Sequence, residues 1–329
     1  MKLAAIALVL CFASALAAQV EFRDDFTKAS QEAVKANRRL FIYFAPTLKA
    51  PAPDKPAPED PFKPLWADKT FADRLARQYI AAKLDVTANQ GAAARYGPVW
   101  APMFVVLGED QQEIATIYEL SAKADGAIKW LDSVDAYVRA LPLQKDRAAR
   151  EPANLRAQND LASLHAEHAQ YGKAAAVYQA FLKAATDKAD IAAAKCQFAT
   201  VLAAEMEIGP VREERNVAAF KYYRESVEEF IALKDKRALD AAAMSAALDD
   251  TGNKGEALRA LLFKAADAFP ADDYEGEVRI KAAIVAARYE KYDTARKELK
   301  EMLDKPKYAK LKQDIVNVIT MIELWARKK

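Results

Sequence analysis

The 329 residues include only two cysteines, two histidines and nine glycines. Two cysteines cannot build a disulfide-dense scaffold, and so little Cys and His excludes most metal sites held by thiolate or imidazole. Charge of one sign is missing as well. The chain has 49 Lys and Arg against 47 Asp and Glu, which leaves no basic footprint for nucleic acid. No uncharged apolar run reaches the roughly 20 residues that a membrane-spanning helix needs. Scarce glycine is set against 72 alanines. Ala is the best intrinsic helix former and Gly among the worst, so a mostly helical protein is expected. Apolar residues make up 52% of the chain, enough for packed cores, and the length suits two domains.

The chain begins with Met1-Lys2, an apolar run from Leu3 to Phe12, and Ala15-Leu16-Ala17. A short positive region, an apolar region and a small-x-small site together predict a signal peptide over residues 1–17, cleaved after Ala17. The expected location is periplasmic or secreted, with no integral membrane segment after cleavage. None of the seven Asn begins an Asn-x-Ser/Thr sequon, which favours a bacterial envelope protein over a glycosylated one. Cleavage removes Cys11 and leaves Cys196 without a partner for an intramolecular disulfide.

Residues 20–141 read as a first domain. Periodicity predicts a helix from Asp24 to Arg39, with Phe26, Ala29, Ala33 and Val34 on one face and Asp24 or Asp25 as cap. Leu40–Phe44 is a short aromatic-rich strand. Residues 45–64 then carry seven prolines, so an extended Pro-rich insertion is expected. A helix over Leu65–Arg77, a strand over Tyr79–Val86 and a short helix over Asn89–Tyr96 follow. The strand Met103–Leu107, its hairpin partner Glu113–Tyr118 and a closing helix Lys123–Leu141 complete the domain.

That order, with Tyr96-Gly97-Pro98-Val99-Trp100-Ala101-Pro102 before Met103–Leu107, resembles the thioredoxin-like fold. In that family a Tyr-Gly-x-x-x-x-Pro stretch precedes the third core strand. The resemblance implies a cis peptide bond at Pro102 and a groove beside it for an extended peptide. It implies peptide-binding candidates Phe44, Trp100, Ala101 and Pro102. The family's Cys-x-x-Cys follows the first core strand, where this chain has Ala45-Pro46-Thr47. No Cys occurs between Cys11 and Cys196. Without a thiolate pair, disulfide exchange has neither nucleophile nor resolving group. Thr47 is an unactivated alcohol with no histidine in its domain.

Residues 150–329 read as helices end to end, joined by short connections that suit stacked hairpins. Tyr171-Gly172-Lys173-Ala174, Gly252–Ala257 and Tyr292-Asp293-Thr294-Ala295 resemble tetratricopeptide repeat motifs, with small residues where paired helices approach closely. The fold class expected is therefore an α/β (α+β) thioredoxin-like domain followed by an all-α helical-hairpin, tetratricopeptide-like repeat domain.

Other chemistry-bearing residues are few. His165 and His168 lie three apart on one helix, but two ligands do not make a metal site. Cys196 shares a small-residue face with Ala192, Ala199 and Ala203, as a close helix contact would. Asp249-Asp250 and Asp272-Asp273 fall at helix boundaries, where carboxylates cap. No Walker loop, Gly-x-Gly-x-x-Gly, Gly-x-Ser-x-Gly or His-Glu-x-x-His is present. The reading is an exported, non-catalytic scaffold for a protein or peptide partner, with no catalytic residues, cofactor, metal or nucleic acid. The alternative is a thiol-redox accessory or sensor using Cys196.

Overall fold

A computed structural model describes residues 19–47, 59–96, 101–204, 210–248 and 255–328. The expected leader, residues 48–58 of the Pro-rich insertion, Trp100 and the 249–254 stretch lie outside the described residues. The chain divides into two compact units. The first comprises the residues up to Leu143 together with Glu167–Gln170; the second comprises Gln144–Ala166 and Tyr171–Lys329.

The first unit is built on a mixed sheet of five strands: β1 (Phe22–Arg23), β2 (Arg39–Ala45), β3 (Tyr79–Asp85), β4 (Met103–Leu107) and β5 (Glu113–Ile117). Their spatial order is β1-β3-β2-β4-β5. The first three run parallel, β4 is antiparallel to β2, and β5 is antiparallel to β4. Helices α1 (Phe26–Ala36), α2 (Lys63–Trp66), α3 (Lys69–Gln78), α4 (Gln90–Ala93) and α5 (Ala124–Arg150) connect or close it.

Three elements depart from the sequence expectation. Strand β1 was not foreseen, because two residues have no periodicity. It forms where Phe22 pairs with Ala81 and its ring meets Trp66 edge-on at 5.0 Å. The helix expected over Leu65–Arg77 is two helices, because the Asp68 carboxylate accepts from Phe71 N at 2.9 Å and starts a new one. Helix α5 runs through Pro142 to Arg150 instead of ending at Leu141. An interior proline costs about 3 kcal/mol. Beyond it, Gln158 Nε2 donates to Ala148 O at 2.9 Å and Arg147 pairs with Asp160 at 2.7 Å, which ties down the last turns.

Strand alternation sorts β2 between two different cores. Leu40, Ile42 and Phe44 face α1, whose Ala29 and Ala33 let the helix lie close to the sheet. Val34, expected on that face, is exposed. Asp25 caps α1 by accepting from Lys28 N at 2.9 Å. Phe41 and Tyr43 face the other way into an aromatic layer. The Tyr43 ring stacks on Phe104 at 4.9 Å, Phe62 meets Phe104 at 5.0 Å, and Trp66 and Phe71 close the layer. Arg39 and Arg74 both pair with Asp135 of α5 at its margin.

Segment 167–170 also belongs to the first unit. Gln170 Nε2 donates to Glu113 O at 2.7 Å and Ile114 O at 2.6 Å, and Thr116 N donates to His168 O at 3.4 Å. These bonds occupy the side of β5 that has no strand neighbour.

The second unit is helical: α6 (Leu155–Ala166), α7 (Tyr171–Ala184), α8 (Lys188–Ala204), α9 (Pro210–Ala232), α10 (Arg237–Ser245), α11 (Gly255–Ala268), α12 (Glu275–Arg288), α13 (Tyr292–Leu303) and α14 (Lys312–Arg327). Each helix packs on the next, and α9 on α11, α10 on α12 and α12 on α14 pack one further along. Its core is unusually rich in alanine: Ala192, Ala199, Ala219, Ala242 and Ala282 are fully buried among Phe220, Tyr223 and Leu262. Of the three motif alanines, Ala174 and Ala295 are fully buried, whereas Ala257 is exposed. Gly255 takes the close approach there, its Cα lying against the ring of Tyr289.

Candidate functional site

Strand β2 ends where a thiol pair would stand in the family resembled. Ala45 pairs with Asp85, and Val86 N donates to Ala45 O at 2.9 Å, so the strand pairing holds to its last residue. Thr47 follows. Its hydroxyl donates to Asp85 Oδ1 at 2.8 Å, and the same carboxylate accepts from Thr87 N and Ala88 N, both at 2.9 Å. The Ala88 N–H, then the Thr47 hydroxyl, hold the Asp85 carboxyl below its ordinary pKa. A carboxylate so stabilised is a weak base, and among the described residues the geometry gives Thr47 no activating group.

The peptide-binding candidates are adjacent in part. The Ala101–Pro102 bond is cis, and both residues are half-buried directly before β4. Met103, the next residue, pairs with Phe44 across the β2–β4 ladder. Phe44 is fully buried, its ring 6.4 Å from that of Tyr96, so its side chain offers no surface. Trp100 lies outside the described residues.

A cluster that sequence reasoning passed over lies on the aromatic face. Asp60 accepts from Phe62 N at 2.8 Å, Trp66 Nε1 at 3.0 Å and the Tyr43 hydroxyl at 3.2 Å, and pairs with Lys83 of β3. Burial alone would raise the Asp60 pKa. The hydrogen bond from Lys83, then those from Phe62 N and Trp66, outweigh burial and hold it below the ordinary value. Burial, with Asp60 beside it, pushes the Tyr43 hydroxyl up, so it stays protonated as a donor. Asp60 stands among prolines in the insertion, where no periodicity marks a half-buried residue. The available signal was Lys83, the lone charge inside the apolar run Tyr79–Leu84. A half-exposed ammonium set among apolar strand residues is well matched by a nearby carboxylate.

The remaining candidates have structural surroundings. His165 and His168 are both buried. The His168 Nε2 lies 3.2 Å from Ser133 O and its ring 4.4 Å from Tyr137. Among the described residues no group of three or more His, Cys, Asp or Glu could hold a metal ion, and no helix is long and apolar enough to cross a membrane. Cys196 is buried, with Sγ 3.7 Å from the Met244 sulfur, and burial pushes its thiol up to about 12. At neutral pH it carries almost no thiolate, the form that attacks. Asp272 accepts from Tyr274 N at 3.0 Å, a turn contact. Asp249-Asp250 lie outside the described residues. No protein-family model matches the chain, and no curated protein matches it.

Proposed function

We propose that the chain is an exported, non-catalytic scaffold that binds a protein or peptide. In this reading the first unit is a thioredoxin-like module without thiols, and the second a tetratricopeptide-like array. The observation that carries the reading is the end of β2. The sheet has the order β1-β3-β2-β4-β5, yet Ala45 and Thr47 occupy the strand end and the Thr47 hydroxyl is tied to a poorly basic carboxylate. Among the described residues no activated nucleophile stands at that strand end, which favours binding over group transfer there. Sequential helix packing in the second unit supports the same reading, because stacked hairpins present extended surfaces to partners. The thiol alternative is disfavoured by the buried Cys196 with its raised pKa.

In this reading the backbone N–H of Ala101 meets an extended peptide as a short piece of added strand. Peptides selected by the mature protein from a random display library test it. Ala101→Pro removes that N–H, so affinity should fall at least tenfold while helix content and melting stay unchanged. Unchanged affinity in a folded variant removes the groove from the proposal and leaves recognition to the helices. Insulin reduction by the mature protein should proceed at the rate of buffer; turnover above that rate overturns the non-catalytic reading.

A further inference from the structure

An open cleft of about 510 Å³ lies at the carboxyl ends of β1, β3 and β2. That size suits a small organic ligand or one long side chain, and strand carboxyl ends are where open α/β sheets bind ligands. Its apolar surface comes from Phe22, Tyr43, Pro46 and Pro61. Two cations and three carboxylates complete the lining, and they are not equally available.

Arg23 is occupied. Its guanidinium bonds both oxygens of Glu32, at 2.8 and 2.6 Å. Lys83 is occupied as well, by Asp60, and its ammonium lies 5.5 Å from the centre of the Tyr43 ring. Asp60 in turn is saturated by its four donors. Two carboxylates are left over. Asp85 receives only neutral donors, and among the described residues neither Asp24 nor Asp85 has a cationic partner. An apolar hollow whose uncommitted charge is negative is complementary to a cation on an apolar stem.

We propose that this cleft binds an organic cation, a primary ammonium or guanidinium on a short aliphatic chain. The stem lies against Phe22, Pro46 and Pro61, and the head faces Asp24 and Asp85. Such a group is presented equally by a Lys or Arg side chain of a peptide and by a free small amine. Pro102 is not among the lining residues, and the proposal does not rest on the peptide-groove reading.

The test uses the full mature chain and three probes of equal stem: hexylammonium, hexanoate and hexanol, followed by NMR shifts and titration calorimetry. Hexylammonium should bind at least tenfold tighter than hexanoate, weaken with added salt, and shift resonances of Phe22, Tyr43 and Ala45. Asp24→Asn should weaken it about threefold, as the loss of one exposed charge does. Because Asp85 also organises its own turn, Asp85→Asn is read together with its melting curve. The double variant, if folded, should bind hexylammonium no better than hexanol. Acetyl-Ala-Lys-Ala-amide separates the two sources: tighter binding than hexylammonium assigns the site to a peptide side chain, weaker binding to a free amine. Hexanoate binding as tightly as hexylammonium overturns the proposal. So does shift mapping elsewhere, unchanged affinity in Asp24→Asn and a folded double variant, or no binding of any probe.

Discussion

The two units fill their interiors by opposite means. The sheet unit fills one face with large rings: Phe41, Tyr43, Phe62, Trp66, Phe71 and Phe104 interlock at centroid distances of about 5 to 6 Å. The helical unit relies on the smallness of Ala192, Ala199, Ala242 and Gly255, which brings backbones together. A ring-filled core is damaged by deletion, because the void left has no other occupant. A core of small residues is damaged by addition, because there is nowhere for a new methyl to go. Stability in one unit is therefore most sensitive to losing atoms, and in the other to gaining them.

The sharpest way to break that contrast is Phe104→Ala. The ring touches Phe41, Tyr43, Phe62 and Trp66, and its loss should cost about 3–5 kcal/mol in denaturant unfolding of the sheet unit. A cost under 1 kcal/mol would show that the layer is loose. The matching change in the helical unit is Gly255→Ala. Gly to Ala within a helix ordinarily stabilises by up to about 1 kcal/mol. Here the new Cβ would overlap the Tyr289 ring, so the melting temperature should fall, with a cost of about 1–3 kcal/mol. A rise would mean that Tyr289 swings away freely.

Asp60→Asn comes next, at about 1–3 kcal/mol, because it unbalances Lys83 and weakens the bonds from Tyr43 and Trp66. Its pH dependence has a defined sign. The Asp60 carboxyl is depressed in the folded chain, so its stabilisation is complete above the unfolded value near 3.8 and is lost as pH falls through the lower folded value. Stability curves of the wild type and Asp60→Asn should draw together with acidification through that range. A gap that stays constant would show that Asp60 acts by shape alone. The smallest effect is expected at Leu143, which is 73% exposed: Leu143→Ser should change stability by no more than about 0.5 kcal/mol.

The same contrast explains what the sequence made legible. Helices of the second unit announce themselves through alanine and short connections. Strand β4 was equally plain, since Met103–Leu107 is a continuous apolar run with no competing helical period. What escaped were features created by partners distant in the chain. Two-residue β1 exists because Ala81 and Trp66 receive Phe22. Asp60 is half-buried because Tyr43, Trp66 and Lys83 converge on it from three other elements. Motif matching erred at Ala257 for a related reason. The buried position is chosen by where Tyr289 lies, and it selects Gly255 two residues earlier. At the candidate peptide site, the juxtaposition of Phe44 with Met103 follows from strand pairing, whereas the burial of Phe44 follows from its central place in the sheet.

The hydrogen bonds from Gln170 and to His168 along β5 bear on how the sheet unit is to be isolated. A fragment ending at Leu141 matches the helix boundary expected from sequence but sheds residues 167–170. Glu113, Ile114 and Thr116 would then present an open row of donors and acceptors, a template for pairing with a second copy. Such a fragment would precipitate or form strand-to-strand multimers for a reason unrelated to its core. A fragment extended through Gln170 carries its own guard for that edge, and is the one whose solubility reports on the sheet itself.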